Sequence, residues 1–353
     1  MTLAAWLHDI DPFIFRVTDT LGPRWYGMSY LLGFFVAWLL IRRVARAGIS
    51  TLTTHHASDF VLAVAVGVVV GGRLGYVFLY SPDLLVTWLD GPPWWGAIAI
   101  NDGGMASHGG IVGGLLACLF YAWRKHHSPL HLLDLFAFGA PLGLCFGRIA
   151  NFINGELFGR IASPNLPWAV KFPQELFDWT PDRWQNAVEQ HPDAARGLAR
   201  SLYTTVNELP AEVPRIIASV QADHPEISRY VAEILPARHP SQIYAAFAEG
   251  LFVFAVLAFA WRKPQKPGVI AGLFGIAYAV GRIIDEFFRR PDLHIMDQEF
   301  AALGVTRGQW LSALVLLAGL LVTWLALRRP APRMGAWRQA PGAPSPDTEP
   351  GKK

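Results

Sequence analysis

Charge is what this chain has least of. Asp, Glu, Lys and Arg make up 16% of its 353 residues, where a water-soluble globular domain carries roughly 25%. The deficit argues against an ordinary soluble domain and for a membrane protein. The net charge of +3 is too small to suggest a nucleic-acid partner. Cysteine is nearly missing. Cys118 and Cys145 both lie in apolar runs and read as buried packing residues, so no disulfide framework is expected. No spacing of His, Cys, Asp or Glu resembles a metal site, and no internal repeat is visible. A cleaved signal peptide is not expected either. Residues 1–24 lack a basic start, and the first apolar run is followed by Arg42 and Arg43, an order that retains the segment as a span.

What remains is apolar: 52% of the residues are hydrophobic and 14 are tryptophan, a side chain suited to membrane–water boundaries. Seven candidate spans fall near 25–41, 60–80, 108–123, 132–149, 242–261, 268–288 and 309–327. The expected fold is therefore an all-α polytopic membrane protein of about seven transmembrane helices. The connections "RRVAR", "RKHH" and "RKPQK" and the terminal "RRPAPR" alternate with a connection from Ser81 to Gly104 that holds no Lys or Arg. By the positive-inside rule the N-terminus is outside and the C-terminus cytoplasmic. The divisions follow: an outer segment 1–24, spans one to four in 25–159, an outer insertion 160–240, spans five to seven in 241–328, and a disordered cytoplasmic tail 329–353 rich in Pro, Gly and Ala. The insertion reads as short amphipathic helices broken by prolines.

That topology places polar groups from distant segments at one depth, near the outer headgroups: Tyr26, Arg73, His108, Arg148, Arg238, His239, Arg282, Asp285 and Glu286. A charge within a span costs about 2.5–3.5 kcal/mol, so a shared hydrophilic cavity is expected for the deeper Arg73 and Arg282. Snorkelling toward lipid phosphates is the alternative for arginines at span ends. In "GRIANFINGELFGR", residues 147–160, Arg148 and Asn151 share a helix face, Gly155 and Gly159 permit a sharp exit, and Glu156 can orient an arginine. The planar arginine fork suits phosphate oxygens. In "NDGGMASHGGIVGG" the glycines, Gly109 among them, allow either backbone approach to a ligand or close helix packing. His108 stands there as a base or a headgroup donor. The stretch is not a phosphate loop, because the terminal Gly-Lys-Ser/Thr is missing. In "RHPSQIYAAFAEG", Arg238, Gln242 and Tyr244 lie near the outer boundary, and Ser241 reads as a helix N-cap.

Together with "WYGMSYLLGF", "GGRLGYVFLY" and "GRIIDEFFRRPD", these stretches resemble the phosphatidylglycerol–prolipoprotein diacylglyceryl transferase family, in family order and across six of the seven spans. The resemblance implies a bacterial plasma-membrane enzyme working at the outer face. It would move the diacylglyceryl group of phosphatidylglycerol onto the lipobox cysteine thiol of a prolipoprotein, leaving a thioether and glycerol phosphate, with no metal or organic cofactor. It implies catalytic roles for His108, Arg148 and Arg238. It implies substrate contacts for Tyr26, Arg73, Tyr76, Gly109, Asn151, Glu156, Tyr244, Arg282 and Glu286. Two departures stand out. Ala245 follows Tyr244 where the family usually has glutamate, which leaves any carboxylate role to a residue such as Glu249, and the insertion around 175–235 is longer than usual. A lipid transporter with an arginine-lined cavity is the rival reading. It predicts charge along the whole crossing, whereas the inner halves of the spans are largely uncharged.

Overall fold

The computed structural model describes residues 5–18, 22–100, 103–290 and 306–337. Helices occupy all seven expected positions: α1 (Trp25–Arg46), α2 (Thr54–Leu79), α3 (Ser107–Arg124) and α4 (Pro129–Asn154) come first. The later ones are a composite of α9 (Ser241–Ala245) and α10 (Phe252–Ala260), then α11 (Val269–Asp285) and α12 (Arg307–Arg328). Five are long and apolar enough to cross a membrane: α1, α2, α4, the α9–α10 composite and α12. At 18 and 17 residues, α3 and α11 are shorter than about 20 residues of apolar helix. The chain divides into two compact units.

One unit holds residues 32–143, 251–279 and 313–353. Its helices α2 and α3 touch along glycines. A Cβ at Gly113 would lie 2.0 Å from the carbonyl oxygen of Gly67, and one at Gly109 would lie 2.3 Å from that of Gly71. Only glycine allows backbones this near. Phe60, Leu132, Leu135, Phe138, Leu257 and Trp261 form the buried centre. Asp134, buried in α4, accepts the backbone N–H groups of Gly268 and Ala271 at 2.8 Å each, so one helix caps the start of another. The expected loose tail is corrected over its first part. Met334 exchanges backbone bonds with Gln265, and the Trp337 indole donates to the Ala258 carbonyl. Buried apolar contacts and paired backbone outweigh the Pro/Gly composition there. Residues 338–353 of the expected tail lie outside the described residues.

The other unit holds residues 1–31, 144–250 and 280–312. It contains the insertion, with helices α5 (Pro181–Gln190), α6 (Pro192–Ser201), α7 (Val213–Gln221) and α8 (Pro225–Ile234). The prolines expected to break these helices start them instead, in the first turn, where a missing N–H costs nothing and φ is already set. Leu198, Leu202, Leu209, Ile216 and Val220 form their core. A two-residue strand β1 (Trp6–Leu7) pairs in parallel with β2 (Val170–Lys171), so the N-terminal segment belongs to the insertion.

His8 follows β1 and is fully buried, its ring edge-on to Phe152 with centroids 5.4 Å apart. Burial lowers its pKa below the usual 6.5 and keeps it neutral in the fold. The unfolded chain takes up a proton first as pH falls, so this stability is complete above pH 6.5 and drains away below it. Melting temperature is expected to drop between about pH 6.5 and 5, and His8→Phe is expected to flatten that slope. An unchanged slope in the variant would remove His8 as the cause.

Candidate functional site

Helix α4 continues through Asn154, so Arg148 and Asn151 do share a face. Gly155, at φ +70°, then turns the chain away. A Cβ there would lie 2.3 Å from the Gln174 side-chain oxygen. Glu156 accepts the side-chain amides of Asn151 (3.2 Å) and Asn154 (3.0 Å), which ties the exit to the helix end.

The stretch 238–242 is stitched along residues 156–160. Gln242 donates to the Glu156 carbonyl, Ser241 to Leu157 (2.9 Å) and Arg238 to Gly159 (2.8 Å). The N-cap reading of Ser241 is corrected: helix α9 begins at Ser241 itself, and its hydroxyl holds the neighbouring loop. Gly159 permits the approach, since a Cβ there would lie 2.5 Å from the His239 carbonyl oxygen. Two motifs distant in sequence thus form one backbone-bonded piece.

Between α9 and α10, residues Ala246–Leu251 form a π-helical turn, a feature common at functional sites. Glu249 lies in it, with no exposed surface. Its Oε2 accepts Arg148 twice, from Nη2 at 2.7 Å and Nε at 3.1 Å. Its Oε1 lies 3.6 Å from Arg282 Nε. Glycines make room on both sides. A Cβ at Gly250 would meet Cys145 at 2.6 Å, and one at Gly281 the Ala248 carbonyl at 2.4 Å. Arg282 also reaches Asp285 (3.2 Å) and Glu286 (2.5 Å). The carboxylate one turn beyond Ala245 therefore joins the two arginines.

Arg238 is buried, and both oxygens of Glu175 accept from its fork, Oε1 at 2.5 Å. Glu175 also accepts Arg183, whose guanidinium lies over Trp179 at 4.8 Å. Sequence reasoning missed Glu175, because nothing in its surroundings distinguishes it from the insertion's other acids. Tyr244 accepts the Trp168 indole N–H at 2.8 Å and lies 3.3 Å from His239 Nδ1. Burial pulls the His239 pKa below its usual value. Tyr26 is half-buried in the first turn of α1, its ring 5.4 Å from that of Tyr30.

Arg73, Tyr76, His108 and Gly109 fall in the other compact unit. Arg73 is buried and donates to four carbonyls: Gly96 (2.5 Å), Ala97 (2.9 Å), Gly103 (2.5 Å) and Gly104 (3.0 Å). Its guanidinium braces the connection between α2 and α3. Tyr76 packs its ring where a Cβ on Gly104 would sit. Gly109 serves close helix packing, one of its two expected uses. His108 is exposed in the first turn of α3.

The sequence profile of the prolipoprotein diacylglyceryl transferase family matches residues 12–325. A phosphatidylglycerol–prolipoprotein diacylglyceryl transferase of Bdellovibrio bacteriovorus is 43% identical over 345 residues, covering 94% of this chain and 97% of that protein. The protein of the same name from Azospirillum brasilense is 37% identical, covering 91% and 96%. One from Rhodospirillum centenum is 38% identical, covering 90% and 93%. With a match across nearly its whole length, this chain belongs to the prolipoprotein diacylglyceryl transferase family.

Proposed function

We propose that the protein transfers the diacylglyceryl group of phosphatidylglycerol to the lipobox cysteine of a prolipoprotein signal peptide, at the outer face of a bacterial plasma membrane. The observation carrying this reading is the Arg148–Glu249–Arg282 cluster, with its Glu249 carboxylate fully buried, at the end of an apolar helix, in a chain of this family. Seven crossings with the N-terminus outside remain part of the proposal.

The cysteine sulfur attacks the terminal glyceryl carbon, forming a C–S bond. The C–O bond to phosphate breaks, and glycerol phosphate leaves with the electron pair. A free thiol has a pKa of about 8.5, so a base must take its proton; His108, exposed at the start of α3, is the proposed acceptor. Arg148 holds the phosphate and stabilises the charge that grows on it. Because Arg238 is occupied by Glu175 and Gly159, we assign it to positioning: it shapes the 156–160 loop beside Arg148's helix.

The test is lipid transfer in detergent with phosphatidylglycerol and a lipobox peptide. A thioether product with equimolar glycerol phosphate is expected, and none with a Cys→Ser peptide. Folded protein that binds phosphatidylglycerol and yields no thioether would sink the reading.

A further inference from the structure

We infer that Arg183 and Arg290 form a separate anion site on the insertion, which takes a phosphate group carried either by a free phosphomonoester or by a lipid headgroup. None of its residues belongs to the Arg148–Glu249–Arg282 cluster, and the inference stands whether or not the transferase reading does.

The site is built on the 3-10 helix Pro173–Asp178. Side chains three positions apart eclipse one another on such a helix, about 6 Å apart along its axis, so Glu175 and Asp178 share a face. Glu175 holds Arg183, and Asp178 accepts Arg290 Nη1 at 3.2 Å. That sets the two guanidiniums side by side. Aromatic rings fix their planes. Arg183 lies 4.8 Å from the Trp179 centroid and Arg290 lies 5.5 Å from that of Phe158, a ring that also carries Arg238 at 4.9 Å. The side chains of Arg183 and Arg290 are 30% and 19% exposed, so solvent reaches them, while Arg238 and Glu175 are buried.

Charge and donors are both left over. Arg238 and Arg183 repel Arg290 while Asp178 and Glu175 attract it, so among the described residues three arginines face two carboxylates. Glu175 is spent, since its oxygens already accept Arg238, Arg183 and the Trp179 indole. Asp178 is 46% exposed. An ion pair so open to water contributes little, and an incoming anion displaces it readily. A guanidinium carries a fork of N–H donors. Among the described residues Arg183 spends one on Glu175 and Arg290 one on Asp178. A carboxylate, with its paired oxygens, is filled by a single fork. Two adjacent forks call for an anion with three or more oxygens around one centre, and phosphate is such a group.

Hydrogen exchange across residues 173–184, at fixed ionic strength, tests the assignment in lipid discs. Glycerol phosphate added to phosphatidylcholine discs supplies the free ester, and phosphatidylglycerol discs supply the anionic headgroup. A bound phosphate is expected to slow exchange about ten-fold once it stands at roughly ten times its dissociation constant. Slowing by glycerol phosphate names the free ester as the source, slowing by phosphatidylglycerol names the headgroup, and either supports the site. In Arg290→Gln, which gives up only one exposed pair and keeps its fold, the slowing is expected to vanish. In Arg148→Lys it is expected to persist. No slowing from either source would overturn the inference, and so would equal slowing by chloride at the same ionic strength. Slowing lost in Arg148→Lys and kept in Arg290→Gln would place the phosphate elsewhere and overturn it too. None of these results bears on lipid transfer, which is assayed separately.

Discussion

Arg148→Lys is expected to lower kcat/KM for lipid transfer by about a hundred- to a thousand-fold, the range seen when one transition-state donor is removed, while the protein stays folded. Lysine keeps the positive charge beside Glu249, so the buried carboxylate is not stranded. What it loses is the fork. Arg148 places Nε and Nη2 on one oxygen of Glu249, which fixes the guanidinium plane. A single ammonium on a flexible stem cannot keep that bond and also present a flat pair of donors to phosphate. Thermal stability within a few degrees of wild type, together with the lost turnover, would place the defect in chemistry. Activity within about five-fold of wild type would show that charge alone suffices at this position.

Glu175→Ala is expected to destabilise its compact unit by about 3–5 kcal/mol, the cost of removing one partner from a buried ion pair. Among the described residues Arg238 would keep only one hydrogen bond, to the Gly159 carbonyl deep in the unit, and Arg183 would lose its Glu175 partner. Because Arg238 holds the 156–160 loop, transfer activity should fall with stability. Limited proteolysis across residues 160–240 is the direct measurement. Glu175→Gln keeps an acceptor without the charge and should fall between the two. Cleavage of Glu175→Ala at the wild-type rate would mean that the cluster contributes little.

The helical positions were legible because long uncharged runs have one physical use in a chain this apolar. Their ends were less so. Helix α4 runs to Asn154 rather than 149, since Asn151 and Asn154 bond Glu156 and need no early stop. The pair Arg282–Glu286 could be read from its i,i+4 spacing. The partners of Arg148 and Arg238 could not. Glu249 is 101 residues from the first and Glu175 is 63 from the second, and no local pattern joins residues so far apart. The same holds for the polar side chains of 238–242. In sequence Arg238 is a catalytic residue by resemblance, Gln242 only lies near the outer boundary and Ser241 reads as an N-cap, whereas all three spend donors on the carbonyls of a neighbouring loop.

The bracing of the α2–α3 connection by Arg73 has a consequence for the surroundings in which the protein can work. Among the described residues every acceptor of that guanidinium is a peptide carbonyl, and a carbonyl takes up no proton at any acidity a cell meets. A carboxylate in the same place would surrender its hold in acid. In the proposed topology this connection faces the space beyond the membrane, which cells do not buffer as they do the cytoplasm, and its described part would keep its shape through the acid swings that begin to loosen the segment around His8.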